Sequence, residues 1–410
     1  MAAKAYDSAA ARLAAVLKAN EKDIDALLEM AALSDLRGQP TEAQRWLEKA
    51  NDFASASELR PGFGLLELHL RENRPAQALE ASKQLLVKAR EQVPVLLAHA
   101  RVLMANGDTA GARTTLNNAT RLAAFEAPAQ VDIAGMQLRI GNLPGAAYSL
   151  EKALSSQPDY LPALALMTEV ETRQGEHAKS EQRARDIIQR DPRRAIGYTL
   201  LGDVALARGQ DAAAVAAYRQ AHQAEPSTGT LLRLYRASLG PQSGKSALAL
   251  AEDWLKSHPR DLPVRKALAD GHAALGNFAA ARSAYEEVLK STPGDAETLN
   301  NLANVLLRQK DPAALAMAER ALAAAPANPL VIDTAGWISF HHGQTDRALQ
   351  LLRDARLRAP DNGEIRYHLA TVLAKAGRAG EAKAEAAAAL ASAASADWRG
   401  DAEALLKTLQ

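Results

Sequence analysis

Between positions 195 and 228 the apolar residues recur with the period of a helix. Tyr198, Leu201, Gly202 and Ala205 fall at i, i+3, i+4 and i+7, and Ala214, Tyr218 and Ala221 follow at steps of four and three. Each set makes a single stripe on a helix of about 3.6 residues per turn. Polar Arg208-Gly209-Gln210 separates the two stripes, and Pro226 closes the second. Proline lacks an amide hydrogen and cannot continue a helix. The stretch predicts two short amphipathic helices joined by a tight turn.

The same unit recurs along the chain. Pro158, Pro192, Pro226, Pro259, Pro293, Pro326 and Pro360 are separated by 34, 34, 33, 34, 33 and 34 residues, each just after an apolar stripe. Extending this frame gives eleven units: 24–57, 59–92, 93–126, 127–160, 161–194, 195–228, 229–261, 262–295, 296–328, 329–362 and 363–396. The unit at 59–92 carries Asn73 where the turn glycine belongs, and 229–261 departs most, with a short first helix and the loose turn Gly240-Pro-Gln-Ser-Gly244. The frame predicts 22 helices. Residues 1–23 read as the second helix of a preceding, truncated repeat, so a fragment of a longer protein is expected. Residues 397–410 read as a C-terminal capping helix, with Trp398, Leu405, Leu406 and Leu409 available to cover the last unit.

The Gly, Ala and Pro positions of 195–228 match the tetratricopeptide pattern, with Tyr198 for its tryptophan and Ala205 for its second tyrosine. The chain therefore resembles a tetratricopeptide-repeat protein. That resemblance implies an all-α, right-handed superhelical α-solenoid in which each unit packs only on its neighbours. Small residues at the Gly202/Ala134/Ala303 and Ala214/Ala281/Ala348 positions are expected to let paired helices approach closely.

Composition narrows the picture. The 410 residues are 48% hydrophobic but only 4% aromatic, which suits an Ala/Leu interior. Lys+Arg 49 against Asp+Glu 48 leaves a net charge of +1, without the basic excess a nucleic-acid surface calls for. No cysteine is present, which excludes disulfides, thiolate metal sites and cysteine nucleophiles. No apolar run approaches the roughly 18 residues of a membrane span.

Candidate chemistry is sparse. Gly240-Pro-Gln-Ser-Gly-Lys-Ser246 echoes a phosphate-binding loop but has three residues between its glycines instead of four, and no strand precedes it. His341, His342 and His368 lack any metal-binding companion motif. Arg183, Arg185, Arg190, Arg193 and Arg194 alternate with Asp186 and Asp191 and read as a solvated face on a second helix. No enzyme, cofactor or metal is expected.

In tetratricopeptide proteins the first helices line the inside of the superhelix, and their exposed inner residues grip peptides. Three consecutive units stand out at those positions: Asn300, Asn301, Asn304 and Arg308; then Asp333, Trp337, Phe340 and His341; then Tyr367, His368 and Lys375. Asparagines can donate to and accept from an extended backbone without demanding a sequence, and exposed aromatics are typical anchors. The expected partner is a protein or peptide segment held in this concave groove.

The words LNNLANVLL, DTAGW and APDNGEIRYHLA, between Thr298 and Arg378, are similar to the C-terminal repeats of the bacterial tetratricopeptide lipoprotein associated with exosortase/PEP-CTERM sorting and exopolysaccharide clusters. That resemblance implies a periplasmic or envelope-associated scaffold, lipid-anchored in its full-length form; composition does not distinguish this from a cytoplasmic one. A structural spacer using its convex face or edges is the alternative, and a carbohydrate-binding groove a weaker one.

Overall fold

The computed structural model describes residues 2–240, 244–392 and 396–409. Among these residues it contains twenty-four α-helices, from α1 (Ala2–Ala19) to α24 (Arg399–Thr408), and no strand. The chain forms two compact units, one ending at Ala217 and the other beginning at Tyr218, with the division inside α13 (Asp211–Ala224). Within each unit consecutive helices pack on one another. Alternate helices also touch, as α18 (Ala296–Arg308) does α20 (Pro329–His341), and α20 does α22 (Gly363–Lys375).

The proline ruler has a direct structural meaning. Pro158, Pro192, Pro226, Pro259, Pro293, Pro326 and Pro360 each stand two residues beyond the end of a helix, those helices ending at Ser156, Arg190, Ala224, Ser257, Ser291, Ala324 and Arg358. Polar side chains then restart the chain: Asp295 accepts from the Thr298 amide at 2.9 Å, and Asn362 from Ile365 at 3.1 Å. These are ordinary N-caps, satisfying amides that the first turn leaves without partners.

Inside each pair the turn is stereochemically demanding. Between α20 and α21 (Thr345–Arg358), Gly343 takes φ +78, its amide donates to Phe340 O, and the Gln344 amide donates to Ser339 O, both at 2.9 Å. This is the bonding of a left-handed helix stop. Asn73 and Lys310 hold the same place at φ 54 and φ 57.

Packing follows from side-chain size. Ala134, Ala214, Ala281, Ala303 and Ala348 are fully buried, as are Gly202 and Ala221. A Cβ on Gly336 would lie 2.9 Å from Leu352 Cγ, so the α20 backbone packs directly on the Leu351 and Leu352 side chains of α21.

The departing unit is α14 (Thr228–Ser238) and α15 (Gly244–Ser257), α14 being two residues shorter than α18. Pro241, Gln242 and Ser243 of the phosphate-loop echo lie outside the described residues. Long-range bonds hold the unit: Tyr235, fully buried, donates its hydroxyl to Ala267 O at 2.9 Å, and burial pushes that phenol up to about 12. Gly271 leaves the room its ring requires. Among the described residues no helix is long and apolar enough to cross a membrane.

Candidate functional site

Three first helices of the second unit, α18, α20 and α22, carry the candidate residues, and α16 (Leu262–Ala274) packs beside them. A single contact recurs between them. Asn301 donates from Nδ2 to Asp270 Oδ1 at 3.2 Å, Asn304 reaches Thr334 Oγ1 at 3.5 Å, and Trp337 lies flat on His368 with ring centroids 4.1 Å apart. In every case a residue on one first helix meets a residue 30 or 31 positions away on its neighbour. The chain thus places a cross-helix rung at the same register of three successive seams.

The rungs change what these side chains can offer. The sequence reading treats Asp333 and His368 as exposed groove residues; instead both are buried, at 6% and 9% exposure. His368 Nδ1 lies 3.0 and 2.9 Å from the two Asp333 carboxylate oxygens. Asp333 and Trp337 are one helical turn apart on α20, so they grip the same imidazole by its edge and by its face. Burial of either group is tolerable only because the other satisfies it.

The expected open aromatic anchors are likewise half-buried. Trp337 and Phe340 pack on the cluster of Ala348, Leu349, Leu352, Leu369 and Val372. Around the Trp337 indole stand Phe340 at 5.6 Å, Tyr367 at 6.2 Å and, edge-on, His341 at 4.7 Å. Tyr367 in turn stacks on Trp398 at 5.8 Å and 12°. Five of the eleven candidates (Trp337, Phe340, His341, Tyr367 and His368) therefore form one aromatic patch, with Asp333 behind it. Its sixth ring is Trp398, which the sequence pattern places only in the end cap; a lone tryptophan in an alanine-rich tail is the available signal.

The polar half is less uniform. Asn300 is half-buried, and its Oδ1 has no partner among the described residues. Asp270, to which Asn301 donates, also accepts from the Tyr285 hydroxyl at 2.6 Å, and burial with this bond raises the Tyr285 phenol far above its ordinary range. Sequence reasoning missed Asp270, Tyr285 and Thr334, which match the repeat pattern as unremarkable positions. Arg308 and Lys375 are exposed, Arg308 lying 5.6 Å above the Phe278 ring. His341 is exposed as a residue, but partial burial of its ring, with His368 and His342 nearby, lowers its pKa.

The arginine run is not simply a solvated face. Arg183 on α11 (His177–Arg190) binds Glu171 of α10 (Leu161–Arg173) through Nε at 3.0 Å and Nη2 at 2.7 Å, and Glu171 is 5% exposed. A buried carboxylate needs such a bidentate partner.

Short helices stacked pair upon pair, a left-handed residue inside most pairs and proline after most, define an α-helical repeat protein. One tetratricopeptide-repeat family model matches residues 97–160, 170–227 and 266–329, and another matches 339–409, together more than half of the chain. The chain belongs to the tetratricopeptide-repeat proteins, which are scaffolds for protein and peptide partners. Yeast Tom70 has a similar fold, at 12% identity and TM-score 0.52 over 95% of this chain and 96% of that one. The Cut9–Hcn1 hetero-tetramer of the APC/C (14%, TM-score 0.48, 96% and 98%) and a tetratricopeptide repeat protein from Parabacteroides merdae (15%, TM-score 0.46, 61% and 99%) also align. A comparison with curated proteins finds no match.

Proposed function

We propose that this chain is a non-catalytic interaction scaffold whose second unit binds an extended protein segment across α18, α20 and α22. The observation that carries this reading is the aromatic patch around Trp337, half-exposed beside half-buried asparagines. Apolar side chains of a bound segment would lie on the rings, and its backbone would pair with amide groups that keep unused donors or acceptors. On the sequence resemblance, the finer reading is a role in a bacterial envelope assembly for export or exopolysaccharide production of the PEP-CTERM type, in or facing the periplasm.

The rungs themselves favour a second reading. Asn301, Asn304, Trp337 and His368 all tie neighbouring helices together, as a spacer under tension would require. Pull-down from an envelope fraction separates the two. Phe340→Ala, which trims the patch without touching the His368 clasp, should lose the captured protein, and Lys383→Ala on exposed second-helix surface should keep it. Capture that survives Phe340→Ala supports the spacer.

A further inference from the structure

Three successive first helices of the second unit end on a basic residue: α18 on Arg308, α20 on His341 and α22 on Lys375. Basic residues also end three first helices in the first unit, where they complement the helix dipole. Arg139, closing α8 (Ala127–Arg139), makes no ion pair among the described residues, but the other two are neutralised. Arg71, closing α4 (Arg60–Arg71), pairs with Asp35, and Arg173, closing α10, pairs with Glu169 at 2.5 Å. Among the described residues none of Arg308, His341 and Lys375 makes an ion pair, and all three are exposed. The acidic inner residues of the same helices lie at the opposite ends or are already engaged: Glu364 is in the first turn of α22, Glu297 is held by Lys266 at 2.6 Å, and Asp333 by His368. The C-terminal ends of these three helices are therefore basic and, among the described residues, without an ion pair. His341 is itself a ring of the patch, while Asp401 of α24 bears on Tyr367.

We infer that the segment bound on this face is acidic, with side-chain carboxylates along the edge formed by Arg308, His341 and Lys375 and apolar side chains on the Trp337 patch. The inference rests on the binding face proposed above and adds the chemical class of its occupant. Neighbouring packed helices lie about 8–10 Å apart, and a segment in polyproline II form advances about 3.1 Å per residue with three residues per turn. Carboxylates three residues apart in that form share one face and match successive helix ends. Because Arg308, His341 and Lys375 sit on three different helices, they suit acceptors spread along a segment better than a single terminal carboxylate. His341, largely neutral at pH 7, contributes a hydrogen bond between two full charges.

The test uses the whole chain and three fluorescein-labelled twelve-residue peptides of Leu and Phe, carrying Glu, Gln or Lys at every third position. Fluorescence anisotropy should give the Glu peptide at least about tenfold tighter binding than the Gln peptide, and weakest binding for Lys. Arg308→Gln with Lys375→Gln should erase the Glu preference and leave the Gln peptide unchanged, whereas Phe340→Ala should weaken both. Equal binding of Glu and Gln peptides, or a preference that survives the double variant, overturns the acidic segment while leaving the binding face intact if Phe340→Ala still acts. Binding by none of the three overturns both.

Discussion

The Trp337 indole lies on the His368 imidazole with planes 14° from parallel, so the most prominent ring of the candidate face is also a tie between α20 and α22. Binding and stability are consequently coupled at this position. Trp337→Ala removes the stack and the packing on Leu352 and Leu369, and should destabilise the second unit by about 2–4 kcal/mol. In a double-mutant cycle with His368→Ala the pair should couple by about 0.5–1.5 kcal/mol, as aromatic pairs do. Urea denaturation of the four proteins checks this; additive effects would show that the rings merely adjoin.

Lys310 occupies a turn position that needs φ near +57. A residue with a Cβ pays roughly 1–2 kcal/mol there, and glycine recovers most of it at some cost in unfolded-state entropy. Lys310→Gly should therefore raise the urea midpoint at an unchanged denaturant slope, a gain of about 0.5–1 kcal/mol in unfolding free energy. Asn73→Gly should gain less, because asparagine tolerates the left-handed region. A loss of stability in Lys310→Gly would mean that the Lys310 side chain contributes more than its backbone costs.

Much of this fold could be read from the chain because seven repeats place a proline, and most a turn residue, at fixed offsets, and Asn73 stands in the glycine place with glycine's geometry. The site was legible only by register. Position along a first helix assigns a residue to the inner face, but the neighbour's side chain decides whether it stays in water. Asp333 is buried because His368 stands opposite, and Asn301 is engaged because Asp270 lies one helix away. The same blindness hid Glu171 behind Arg183, twelve residues on. Such pairings depend on how adjacent helices are set, which a periodicity argument does not contain.

Several histidines are held below their ordinary pKa by burial, among them His69, His99, His222, His272 and His341. His69 is the clearest, 5% exposed with Nδ1 unpartnered among the described residues. The unfolded chain takes up these protons near 6.5 and the folded chain only at lower pH, so protonation favours unfolding as pH falls through that value. The urea midpoint should drop between pH 7.5 and pH 5.5, a window that lies above ordinary carboxylate titration. His69→Leu should reduce the drop. A midpoint that is flat or rises toward pH 5.5 contradicts the burial argument.

The last helix bears on the same patch. Trp398 stacks on Tyr367, a Cβ on Gly363 would fall 2.8 Å from the Trp398 ring, and Leu409 packs against the cluster of Leu369 and Leu373. Glycine at 363 thus lets an indole lie against the α22 backbone. Removing residues 397–410 uncovers Gly363, the outer face of Tyr367 and adjoining apolar surface, which a repeat end normally keeps covered. The truncated chain should self-associate on size-exclusion chromatography and melt earlier than the whole protein. Trp398→Ala in the full chain should reproduce the lower melting with less self-association, since Leu409 still covers part of the surface. A truncated chain that remains monomeric with an unchanged melting temperature would show that α24 contributes no cover.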